Sequence, residues 1–173
     1  MYRILLAVTI LLTTVQVYAD EDKEKCTEVL SPGTFRCCKK ASYNGGVTIS
    51  IETLQQDESL KECFQQPGRP ESCAREICIG NKKGFVTIDG KIDKAMLKMN
   101  IERDFKEQPV YGDILQNCVN GDVSKYGSDD MCDIMKLRQC FDLQFLKNCN
   151  EWDDEAPCTG TKDLIEKCSK LYS

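Results

Sequence analysis

Cysteine constrains this chain more than any other feature. Twelve cysteines and no histidine are spread over 173 residues, and they follow a segment with the marks of a removable secretory leader. Arg3 supplies a short positive region, Ile4 to Val17 is mostly apolar, and Val17-Tyr18-Ala19 places small residues where a signal peptidase inspects them, so cleavage is expected before Asp20. In the oxidising compartment such a leader implies, the even set Cys26, Cys37, Cys38, Cys63, Cys73, Cys78, Cys118, Cys132, Cys140, Cys149, Cys158 and Cys168 reads as about six disulfides. Spacing alone does not determine pairing. The doublet is an exception in one respect: Cys37 and Cys38 would strain the backbone by joining each other, so they are expected to reach two separate partners.

Residues 1–19 are thus read as leader and 20–173 as one domain. Arg3 is the leader's only charge, so its removal moves the formal net charge from -5 to -6. A domain of this size buries roughly two thirds of its unfolded surface, so the crosslinks fasten a real core rather than replace one. No later segment approaches about 18 uninterrupted apolar residues, and insertion in a membrane is not expected. An acidic chain with Lys39-Lys40 as ordinary surface charge has no footprint for nucleic acid or anionic lipid.

Lack of histidine removes Ser-His-Asp and Cys-His arrangements, histidine zinc sites and His-Asp activation of water. Paired cysteines leave no thiolate for catalysis or metal. Glu62, Glu71, Glu76 and Asp113 form no convergent carboxylate motif, and Asp89-Gly90-Lys91-Ile92-Asp93 lacks the ligand spacing of a calcium loop, reading instead as a turn and helix cap. Neither an enzyme nor a cofactor is expected.

Along the chain, Ser31 to Thr48 is rich in Pro and Gly and reads as loop, with regular structure beginning after it. Residues 51–66 follow a helical period that Pro67-Gly68-Arg69-Pro70 ends, and Ser72 to Ile79 reads as a short helix. Phe85 to Ile88 has strand composition. From Lys91 to Phe105 one helix carries two apolar stripes, Ile92, Met96 and Met99 on one side and Leu97, Ile101 and Phe105 on the other, so it needs cover on both. Pro109 opens the next helix, with Val110, Ile114, Leu115 and Cys118 on one face and Asn120-Gly121 at its end. Ser128-Asp129 suits the cap of a longer helix from about Asp130 to Cys149. Its apolar face comprises Met131, Ile134, Met135, Phe141, Phe145 and Leu146, and Arg138 and Asp142 stand four apart, able to pair. Glu151 to Pro157 is acidic and irregular. A last amphipathic helix from Thr161 has Leu164, Ile165, Cys168, Leu171 and Tyr172 on one side. The fold class expected is all-α: a compact disulfide-crosslinked bundle of about six to eight short helices around an apolar cavity. Met96, Met99, Met131 and Met135 beside Phe85, Phe105, Phe141 and Phe145 are adaptable, pocket-forming side chains, although a filled core uses the same residues.

The leader, Cys73-x4-Cys78, the 39 residues to Cys118 and Cys140-x8-Cys149 together resemble the insect odorant-binding protein family. The twelve-cysteine count, the Cys37-Cys38 doublet ahead of the helix with Cys63, and the downstream Cys158 and Cys168 are similar to its Plus-C subgroup. The likeness covers nearly the whole mature chain. It departs in having four residues rather than three between Cys73 and Cys78, and in placing Pro157 before Cys158 rather than just after the sixth cysteine. Cys118 suits the fourth position of the frame by its distance from Cys78, and Cys132 suits it by its distance from Cys140. The resemblance implies an interlocked linkage in which Cys73 joins Cys140, Cys149 joins Cys118 or Cys132, and Cys63 or Cys38 joins Cys78.

It also implies a secreted carrier of odorants, pheromones or similar small hydrophobic molecules, a monomer or weak homodimer that serves a membrane olfactory receptor indirectly. The wall residues expected, from the stripes that should face inward, are Phe85, Met96, Met99, Ile114, Met135, Phe141 and Phe145. Family members often release ligand on acidification. Without histidine, a switch near pH 6 must rest on carboxylates of raised pKa, and weak pH dependence between about 6 and 8 is expected. The alternative is a secreted interaction or inhibitory protein of salivary or venom type, displaying Gly121 to Ser128 or Glu151 to Pro157 as its loop.

Overall fold

A computed structural model describes residues 21–41, 57–68 and 72–172. The expected leader and residues 51–56 of the first expected helix lie outside them. The described residues are mostly helical, with one two-stranded sheet, in agreement with the all-α expectation.

Helix α1 spans residues 21–29, where no regular structure was expected. Cys26 and Leu30, one turn apart, are its buried contacts, and Cys26 is bonded to Cys168 near the other end of the chain. A 3-10 turn at Pro32–Cys37 leads into strand β1, Cys38–Ala41. Glu58–Leu60 and helix α2, Lys61–Phe64, form one short helical segment, opened by the Asp57 side chain, which accepts from the Ser59 N–H at 3.0 Å. Helix α3, Ala74–Lys82, meets the expected Ser72 to Ile79 closely. Gly80 in α3 is where neighbouring chain passes: a Cβ there would lie 2.9 Å from Ile134 Cδ1 and overlap Val86.

Phe85 to Ile88 is not a strand. Val86 pairs with Ile92 in a single bridge, and between them the chain reverses through a turn in which Gly90, at φ 80°, donates to Thr87 O. Only glycine takes that backbone conformation without cost. Asp93 then caps helix α4, Lys94–Phe105, accepting from the N–H groups of Ala95 and Met96. Helix α5, Tyr111–Ile114, runs into a π turn, Leu115–Val119, and a 3-10 turn follows at Val123–Lys125.

The central helix is α6, Asp133–Lys147. It begins later than Ser128-Asp129 suggested because Met131 is buried against Gly127 and Cys132, held extended by its bond to Cys73, stands at the cap. It also ends before Cys149, which belongs to strand β2, Cys149–Trp152. Strand β2 pairs antiparallel with β1, so segments read as loop and as irregular chain form the sheet together. Helix α7, Thr161–Leu171, closes the fold. Helix α6 packs against α3, α5, α7 and β1, and its Leu137, Cys140, Leu143 and Leu146 lie at the centre of the core.

All twelve cysteines are paired: Cys26–Cys168, Cys37–Cys158, Cys38–Cys149, Cys63–Cys78, Cys73–Cys132 and Cys118–Cys140. The doublet reaches two partners, as its geometry required. Cys63 joins Cys78, one of the two alternatives implied by the resemblance. The other implied bonds are corrected: Cys73 takes Cys132 rather than Cys140, and Cys149 takes Cys38 rather than Cys118 or Cys132. Taken in order, Cys63, Cys73, Cys78, Cys118, Cys132 and Cys140 pair first with third, second with fifth and fourth with sixth. These three bonds interlock, but through other partners for Cys73 and Cys149 than the resemblance implies.

Candidate functional site

The expected wall residues separate into three groups. Ile114 and Phe145 belong to the buried core, where the Phe145 ring lies 5.6 Å from that of Phe105 at a tilt of 51°. Phe85 and Phe141 are half-buried and pack against that core, and Met135 is half-buried on α6. Met96 and Met99 face outward, 38% and 60% exposed, so the expectation that their stripe of α4 faces inward is corrected. Within α4 the stripe of Leu97, Ile101 and Phe105 is the buried one, while Ile92, which precedes the helix, is partly buried against the core. Ile114, Phe145 and Phe105 thus form part of the packed core among α4, α5 and α6.

A half-open cleft of about 280 Å³ lies elsewhere, where the end of α6, β2 and α7 meet. Leu146, Ile165 and Trp152 supply its apolar surface, with Cys149 and Ser169 between them. Lys147, Lys162, Glu166 and Lys170 supply its charges. Lys162, Glu166 and Lys170 succeed one another at intervals of four on α7, one row along the helix, with Ile165 and Ser169 on the adjoining row. Lys147 is exposed and lies near Gln144 and Asp113. Its ammonium donates to Gln144 Oε1 at 3.4 Å and stands 3.9 Å from Asp113, while Asn117 Nδ2 donates to the same Gln144 oxygen at 3.2 Å. Gln144 itself is only 2% exposed.

None of these cleft residues was among the expected wall residues. Leu146 and Ile165 fall on amphipathic helix faces expected from periodicity, and Trp152 falls in the stretch expected to be irregular. The spacing of Lys162, Glu166 and Lys170 was the available signal, but it points to a ligand only once β2 stands opposite.

The interior also contains an unusual carboxyl. Asp142 on α6 is pushed up to about 7 by burial, which the Arg138 guanidinium 3.7 Å away only partly offsets. The two do pair at i and i+4, as their spacing suggested. Asp142 is thus a carboxylate of raised pKa, the type of group on which a histidine-free pH response must rest, and it titrates inside the range where weak dependence was expected.

Comparison with protein-family models, curated proteins and solved structures returns no match to this chain. Among the described residues no helix is long and apolar enough to cross a membrane, and no group of potential ligands is arranged for a metal ion.

Proposed function

We propose that this protein is a secreted carrier that binds small hydrophobic molecules, odorants or chemically similar signals, and moves them through extracellular fluid without making or breaking a bond. The observation that carries this reading is the interlocked set Cys63–Cys78, Cys73–Cys132 and Cys118–Cys140, of which Cys63–Cys78 is a bond the resemblance to odorant-binding proteins implies and the other two tie the same helices through different cysteines. Such a frame ties α2 to α3, α3 to the start of α6, and the π turn to the middle of α6. Helices so tied can separate slightly around a guest without the fold dispersing, and half-buried Phe85, Met135 and Phe141 are the adaptable groups at the edges of that interior. Affinity would come from burying ligand surface, at about 25 cal/mol per Å² before ordering costs.

Titration of the oxidised, delipidated protein with an environment-sensitive apolar dye tests the reading, followed by competition with alcohols, esters and fatty acids. Saturable micromolar binding reversed by particular competitors is expected. Absence of binding by a monodisperse, fully oxidised sample would favour the second reading, a secreted protein-interaction role. That alternative draws on Ile88, Met99 and Met96, which are 94%, 60% and 38% exposed.

A further inference from the structure

We propose that the cleft between the end of α6, β2 and α7 binds an anionic amphiphile, a free medium-chain carboxylate whose tail lies on Leu146, Ile165 and Trp152 and whose headgroup sits among Lys147, Lys162 and Lys170. This deepens the carrier reading by naming a site and a ligand class, and it does not require an opening in the packed interior.

Charge is the first ground. The whole chain has 23 basic against 28 acidic residues, yet the cleft lining has three lysines and one carboxylate, Glu166, and counting Asp113, 3.9 Å from Lys147 outside that lining, lysines still outnumber carboxylates three to two. A local reversal of sign next to apolar surface favours a ligand with both an anionic and an apolar end. Preorganisation is the second. Lys147 stands at the mouth before any ligand arrives, its ammonium 3.4 Å from Oε1 of buried Gln144 and 3.9 Å from Asp113, a carboxylate with which the ligand headgroup must compete. Size is the third. At about 280 Å³ the cleft falls just short of the range that holds drug-sized ligands, which suits a short alkyl chain rather than a polycyclic guest.

Trp152 is the chain's single tryptophan and lines the cleft, so its emission reports occupancy directly. The oxidised mature protein is titrated with octanoate and, separately, with octanol, both below their aggregation limits. Octanoate is expected to change Trp152 emission saturably and to bind at least about tenfold more tightly than octanol, with affinity falling as salt is raised. Shortening to hexanoate should weaken binding by about fourfold per methylene. The double variant K147Q/K162Q should lose about tenfold for octanoate and nothing for octanol. Both lysines are exposed, and the salt titration on the unaltered protein gives the same answer should the variant misfold. Equal affinity for octanoate and octanol, independent of salt, overturns the proposal. So does displacement of an apolar dye by octanol or octanoate with no change at Trp152, an outcome that leaves the carrier reading intact.

Discussion

The three disulfides at the chain's ends, Cys26–Cys168, Cys37–Cys158 and Cys38–Cys149, span 142, 121 and 111 residues, whereas the three in its middle span 59, 22 and 15. Loop closure by itself would make the terminal set the stronger, since a bond closing about 100 residues restricts the unfolded chain by about 4.7 kcal/mol against about 3 for 15 residues. The two sets are not independent bonds, however. Once Cys37 is tied to Cys158, the neighbouring Cys38–Cys149 bond closes only the small ring from Cys149 to Cys158, so its separate contribution is that of a short loop. Packing differs too. The differences run within each set: Cys118–Cys140 and Cys26–Cys168 are at most 1% exposed, while Cys38 and Cys149 are half-buried beside a sheet of two four-residue strands and Cys73 and Cys132 are half-buried as well. The terminal set works as a clamp that holds α1 and β1 onto β2 and α7. Of the inner set, Cys118–Cys140 is part of the helical core itself.

The strongest way to break that distinction is to remove one bond from each set. C118A/C140A should cost about 5 kcal/mol in guanidinium unfolding, combining a closed loop with a cavity at the centre of α6. C38A/C149A should cost about 2 kcal/mol, because the adjacent bond retains most of the restriction. Equal losses would show that clamp and core share one role.

A second contrast is electrostatic. The clamp region has exposed pairs, Lys39 with Asp153 at 3.2 Å and Lys167 with Asp22 at 2.6 Å, which are worth little in water. The core has Asp142 instead. Its carboxyl keeps a proton in the folded protein up to about pH 7, whereas in the unfolded chain the proton leaves near the ordinary aspartate value of 3.8. Folded protein therefore binds more protons across that window, and stability falls as pH rises from about 4 to 7, by an amount on the order of 4 kcal/mol. D142N keeps the shape without the charge. It should flatten the fall and stabilise the protein at pH 8 but not at pH 4, as read from denaturant midpoints at the two values. An unchanged pH profile in D142N would show that another group governs it.

Smaller effects sharpen the contrast between core and rim. G80V forces a branched side chain into Val86 and Ile134 and should cost about 3 kcal/mol, lowering Tm by several degrees. M99K on the outward face of α4 should stay within about 0.5 kcal/mol of the parent in the same melt.

Much of the middle of the chain was legible before its structure. Helix α3, the covered stripe Leu97, Ile101 and Phe105, the π-turn segment with Cys118 and the terminal helix α7 all follow from periodicity, since a helix of this size must bury one row of side chains. Local sequence marked the turn at Asp89-Gly90 and the stop at Pro67-Gly68 for the same reason: these residues restrict or extend the backbone whatever lies around them.

The rest needed contacts distant in sequence. Helix α1 has few apolar groups and is pinned by Cys168, 142 residues away. Strands β1 and β2 are four residues each, too short for any period to show, and form because two disulfides bring them together. Met96 and Met99 differ from Leu97 and Ile101 only in which side of α4 found a neighbour. By itself the sequence determined that the chain would be helical and fully crosslinked, and that Cys37 and Cys38 would part company, because composition, period and bond geometry are local. Only the tertiary structure decided which cysteines met, which stripe was covered, and that Lys147, Lys162 and Lys170 would border one cleft, because each of those depends on segments that the chain itself keeps far apart.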